Sequence, residues 1–137
     1  MKADRPILLV EDDDVDVMTV RRALGDLKVL NPLRVAGDGE EALDLLRGAD
    51  ALRPCVILLD INMPRMNGIE FLREAKADAV LRSIPVVVLT TSREEQDRID
   101  SFDLSVAGYM IKPADYLKFV EVIRTIDMYW TLSELPE

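Results

Sequence analysis

A doubly wound α/β fold is what this sequence predicts, on three observations. Short runs rich in Val, Ile and Leu recur along the chain, amphipathic stretches of helical spacing separate them, and the connections are short. The apolar runs at Ile7–Val10, Cys55–Leu59 and Val86–Leu89 are the firmest strands, with weaker ones at Leu33–Ala36 and Gly108–Ile111. Runs without polar alternation suit a parallel sheet covered on both faces. Val17, Val20, Leu24 and Leu27 form the first helical stripe; Ala42, Leu45 and Leu46 form the second; Ile69, Leu72 and Ala75 form the third. Ile99 and Phe102 mark a fourth helix. Leu117, Val120, Ile123 and Ile126 mark a fifth, expected to start near Asp115 and run through Ile126. Five strand–helix units of this kind join by right-handed crossovers. The pattern fills residues 1–137 as one domain, leaving no stretch for an output domain. Residues 128–137 read as a C-terminal extension in which Pro136 blocks further helix.

Composition removes several function classes. The chain contains no histidine, which excludes Ser-His-Asp and Cys-His catalysis and most zinc sites. Seventeen basic against 26 acidic residues leave a formal charge of −9, which opposes binding to nucleic acid or anionic membrane. A single cysteine makes no internal disulfide and fits a reducing cytoplasm. The longest apolar runs are about five residues, far short of a membrane span. The chemistry must therefore run on carboxylates, Lys, Ser, Thr or a bound cation.

In a doubly wound sheet, ligands sit outside the carboxyl ends of the strands. The first strand here runs into Glu11-Asp12-Asp13-Asp14, and the third ends at Asp60. The fourth runs into Thr90-Thr91-Ser92 and the fifth into Lys112-Pro113. Carboxylates, hydroxyls and one ammonium thus meet on one rim. Crowded carboxylates repel and call for a neutralising cation, and oxygen ligands beside a phosphate suit Mg2+. A carboxylate so placed can act as a nucleophile toward phosphorus. Phosphoryl transfer itself needs mainly positioning and charge neutralisation, which the metal, Lys112 and Thr90 would supply.

The strings ILLVEDDD, LLDINMPRMNG, VVVLTTS and GYMIKP resemble the four signature segments of response-regulator receiver domains, in the same order and across nearly the entire chain. That resemblance implies a flavodoxin-like five-stranded parallel sheet, ordered 2-1-3-4-5, with five helices. It implies that Asp60 is the phosphoacceptor and that Asp12 holds Mg2+ directly while Glu11 holds it through water. Asn62 would offer its backbone carbonyl to the metal, Thr90 would bond the phosphoryl group and Lys112 would pair with it. Tyr109 resembles the aromatic switch residue working with Thr90, and Pro113 would follow Lys112 through a cis peptide. Such a protein catalyses only its own phosphorylation and slow dephosphorylation, and takes its phosphoryl group from a sensor histidine kinase. The segment NPLRVAGDGEEAL and the Tyr129-Trp130 tail resemble single-domain regulators of bacterial phytochromes. Regulators of that kind signal to a partner protein or phosphorelay and are often homodimers, and a homodimer using the last helix and tail is expected.

Other readings compete at single residues. Asp13 could replace Glu11 as the second acid, although capping of the first helix suits Asp13, Asp14 and Asp16 better. Asn67-Gly68 is a turn and helix-entry signal, and Cys55 is expected as a small core residue. Tyr129 and Trp130 could close the core instead of an interface. Two rival functions lose on residues. A phosphatase of the haloacid dehalogenase type needs Asp-x-Asp, and here the string is Asp60-Ile61-Asn62. A flavin-binding module needs a hydroxyl- and glycine-rich phosphate cradle after the first strand, where this chain has four acids.

Overall fold

The computed structural model describes residues 5–61, 66–90, 106, 108–111 and 116–133. Along the chain run β1 (Ile7–Val10), α1 (Asp14–Asp26), β2 (Leu33–Ala36), α2 (Gly39–Leu46) and β3 (Val56–Asp60). They are followed by α3 (Gly68–Ala77), a 3-10 turn (Leu81–Ser83), β4 (Val86–Thr90), β5 (Gly108–Ile111) and α4 (Tyr116–Ser133). The strands pair in parallel in the order β2-β1-β3-β4-β5. The helix expected around Ile99 and Phe102 lies outside the described residues.

Every residue of β1 and β3 is buried, because helices cover both faces of the sheet. Alternation along the strands divides the core in two. Leu8, Val10, Ile57, Leu59, Val86 and Val88 pack toward α2 and α3, against Leu43, Leu46, Phe71 and Leu72. Ile7, Leu9, Val56, Leu58, Val87 and Leu89 pack toward α1 and α4, against Val20, Leu24, Phe119 and Ile123. β2 is the edge strand and carries exposed Arg34, a charge that discourages pairing with another chain.

Several features differ from the sequence expectation. β3 begins at Val56, and Cys55 before it is only half-buried, its sulfur 3.5 Å from the Pro6 carbonyl. In α4, Leu117 is 74% exposed, and the buried stripe is Phe119, Ile123 and Ile126. The spacing i, i+4, i+7 is as helical as the expected one, but the aromatic ring fills more space against α1. α4 also continues past Ile126 to Ser133, so residues 128–133 extend the helix instead of trailing from it. No Gly or Pro interrupts that stretch before Pro136. No helix among the described residues is long and apolar enough to cross a membrane.

Candidate functional site

Register brings two of the acids together. The last β1–β3 pair is Val10 with Leu59, so the next residues on the two strands, Glu11 and Asp60, emerge side by side. Both share the side-chain parity of Ile7, Leu9, Val56 and Leu58, and so lean to the same face. The Glu11 amide still donates to the Ala36 carbonyl at 2.9 Å, prolonging the β1–β2 ladder by one residue. Asp12 then turns outward. One carboxylate oxygen from each of Glu11, Asp12 and Asp60 falls within 4.8 Å of the others.

The environments of the three differ. Glu11 and Asp60 are buried, at 3% and 8% exposure, whereas Asp12 is exposed. The Glu11 carboxylate accepts the Asp12 amide at 3.2 Å and the Asp13 amide at 3.5 Å, which aims it at the cluster. Three acids this close, two of them shielded from water, make a hard oxygen site suited to a divalent cation. The open side at Asp12 leaves room for waters and a phosphate oxygen, as a magnesium-like ion demands.

Asp13 does not join the cluster. Its Oδ1 accepts the amides of Val15 at 2.8 Å and Asp16 at 3.2 Å, capping α1. Glu11, not Asp13, is the acid that lies with Asp12 and Asp60. Thr90 ends β4, the strand beside β3, and pairs with Ile111; Tyr109 lies one strand further out, in β5 opposite Val88. Asn62, Lys112 and Pro113 lie outside the described residues, as do Thr91 and Ser92.

Residues without chemistry of their own complete the frame, and sequence reasoning passed over their role. Gly68 opens α3, donates its amide to the Ile61 carbonyl at 3.0 Å, and lies against the strand end. A Cβ there would sit 2.8 Å from the Asp60 carbonyl oxygen and 2.8 Å from the Ile61 Cα. The preceding Asn67 forms a reciprocal cap with Glu70. Buried Asp38 caps α2 by accepting the Glu41 amide at 2.9 Å, and Gly39 packs against Met66. The visible signal for both was a glycine directly after a capping Asp or Asn, in Asp38-Gly39 and Asn67-Gly68. A separate groove of about 280 Å³ on α3 is lined by Met66, Glu70, Arg73, Glu74 and Ala77, and it includes no member of the acid cluster.

Comparison with known proteins agrees with this geometry. The response regulator receiver domain family matches residues 7–124, and the chain belongs to it. Rcp1, a response regulator of Synechocystis, is 37% identical over 128 residues, which cover 90% of this chain and 87% of that one. A probable methanogenesis regulatory protein, FilR2 of Methanothrix harundinacea, is 36% identical over 135 residues, covering 95% and 87%. The crystal structure of the phosphorylated cyanobacterial phytochrome response regulator RcpA superposes with a TM-score of 0.86 at 37% identity, covering 98% and 99%. Rcp1 has itself been solved in a Mn2+-bound form. The protein is thus a two-component receiver domain, a signalling module served by a sensor kinase, and phytochrome-linked regulators are among its relatives. Divalent metal binding at the acid cluster goes with that class.

Proposed function

We propose that Asp60 accepts a phosphoryl group from a phosphohistidine of a sensor histidine kinase, in a Mg2+-dependent reaction. One observation carries this reading: oxygens of Glu11, Asp12 and buried Asp60 converge within 4.8 Å at the carboxyl end of the sheet. A carboxylate oxygen of Asp60 forms the new bond to phosphorus as the bond from phosphorus to the kinase imidazole nitrogen breaks, and that nitrogen then takes up a proton. Asp12 would bind the metal directly, Glu11 through water, and Asn62 through its carbonyl. Mg2+, when bound, supplies positive charge to the acids and to the oxygens of the transferred group. Lys112 would pair with the phosphoryl oxygens and Thr90 would bond them.

Phosphorylation adds about −1.5 to −2 charge and three acceptor oxygens. We assign the response to Thr90, on β4 next to the strand of Asp60, and to Tyr109, on β5 beyond it. Movement of the Thr90 hydroxyl toward the phosphoryl group frees space for the Tyr109 ring, and the face formed with β5 and α4 changes its partner affinity. The kinase is read as a bacterial phytochrome, on the strength of the phytochrome-linked relatives, and the setting as the cytoplasm. Output passes from this one receiver unit to a partner protein or phosphorelay, not to nucleic acid, which the charge of −9 disfavours. A homodimer through α4 and its tail completes the reading.

The test is intact-mass measurement after incubation with acetyl phosphate and Mg2+. One phosphoryl group is expected on the wild-type chain and none on Asp60→Asn; labelling that survives the substitution refutes the assignment. Thr90→Ala should still be labelled yet lose the phosphorylation-dependent change in partner binding. Light scattering on the full chain and on one ending at Asp127 decides the dimer, which a monomeric full chain at micromolar concentration would exclude.

A further inference from the structure

We propose that Met66 is an oxidation site through which peroxide loosens the packing of α2 on the entry to α3. The inference is independent of the phosphoryl reading. Among the described methionine side chains, Met18 and Met128 are exposed, at 68% and 53%, whereas Met66 is half-buried. Met66 stands at a boundary between water and core. On one side it lines the groove of about 280 Å³ with Glu70, Arg73, Glu74 and Ala77, all of them exposed, so an aqueous oxidant reaches it. On the other side it packs against the core cluster that holds Leu43, Phe71 and Leu72.

The inner side has no spare room. The Gly39 amide donates to the Met66 carbonyl at 3.0 Å, and a Cβ on Gly39 would lie 2.7 Å from Met66 Cγ and 3.0 Å from Met66 Sδ. The thioether therefore rests on bare backbone at the first turn of α2. That turn is fixed by buried Asp38, whose carboxylate accepts the Glu41 amide at 2.9 Å. In the reaction a sulfur lone pair attacks one peroxide oxygen, and the S–O bond forms as the O–O bond breaks. With hydrogen peroxide the second oxygen leaves as water, carrying both protons. Sulfur is oxidised by two electrons and the peroxide is reduced by two. The product sulfoxide is polar, and burying it without a partner is costly. Its oxygen finds no room toward Gly39; facing the groove, it draws the side chain into water and leaves a gap beside Gly39. The same change at Met18 or Met128 only adds an oxygen to a side chain already in water.

The experiment treats the full chain with hydrogen peroxide, locates sulfoxide by peptide mass mapping and follows the melting temperature. Full oxidation of Met66 should lower the melting temperature by about 3–6 °C, in proportion to the sulfoxide fraction at that residue. Met66→Leu conserves volume, so it should start near the wild-type melting temperature and hold it through the treatment. Met18→Leu and Met128→Leu should still show the fall. If Met66→Leu does not fold, the wild-type time course decides: a fall that follows sulfoxide at Met66 supports the site, and one that follows Met18 or Met128 overturns it. Met66 left unoxidised when Met18 and Met128 are fully converted overturns the inference. So does a fully oxidised Met66 with no fall, or a fall that persists in Met66→Leu.

Discussion

On one side of the sheet, α2 and α3 enter their first turns through glycines pressed onto neighbouring backbone at Met66, Asp60 and Ile61. On the other side, α1 enters through the side-chain cap of Asp13 and leaves Val15 and Met18 each 68% exposed in its first turns. The α2–α3 side leaves no slack around the strand end that carries Asp60. The α1 side stays open to solvent next to the exposed acid, Asp12. In the proposed reaction a phosphoryl donor arrives from outside while Asp60 stays fixed, and the two sides divide those demands between them. The difference also concerns what holds each side: steric contact tolerates no added atom, whereas a cap can be lost at modest cost.

The largest effect is expected at Gly68. Gly68→Ala forces a Cβ to within 2.8 Å of backbone atoms of Asp60 and Ile61, and should destabilise the fold by about 1–3 kcal/mol in urea unfolding. Its phosphorylation should fall with it, even well below the denaturation midpoint. Asp13→Ala, which removes the α1 cap, should cost about 1 kcal/mol and leave the acid cluster able to take metal. If Asp13→Ala proves the more damaging of the two, the contrast between a tight and an open side is wrong. Met18→Lys should stay within about 0.5 kcal/mol of wild type, because its side chain is already in water. A larger loss in calorimetry would show that the first turns of α1 are packed after all.

Two pH responses sharpen the same contrast, and both are small because water still reaches the groups. At the far end of α3, the amides of Leu81 and Val80 and the charge of Arg47 hold the Asp78 carboxyl below its ordinary value. The stability it contributes is present above the ordinary carboxylate pKa and is lost as pH falls through its lowered folded value. Asp78→Asn should therefore flatten the acid limb of a stability–pH curve. Between α1 and α4, partial desolvation first, and then the 2.6 Å hydrogen bond to Asp26, push the Tyr116 phenol up against the opposing charge of Arg22. Arg22 stacks 4.0 Å from the ring centroid. Here the contribution is present below the ordinary phenol pKa and disappears as pH rises through the raised folded one. Tyr116→Phe should remove only the alkaline part of the curve.

Local chemistry made much of this protein legible before any coordinates. Fully apolar runs announced buried parallel strands, and acids at the ends of two of them announced a rim that must gather a cation. The cap at Asp13 and the helix entry at Asn67 could be read from residue type alone, since both are contacts within one turn. Other features depend on which chain segments come to lie side by side. The β1–β3 register sets Glu11 beside Asp60, and the cap of α1 engages Asp13. Phe119 displaced Leu117 from the buried stripe of α4 because α1 lies on that side; helical spacing permitted either. Gly68 looked like an ordinary turn residue and Gly39 drew no reading, because the backbone that excludes a Cβ at Gly39 belongs to a segment 27 positions away, at Met66. A sequence records the groups available for chemistry and the periodicity of their burial; distance between remote segments is a property of packing, and only packing sets how closely a metal site's ligands are held.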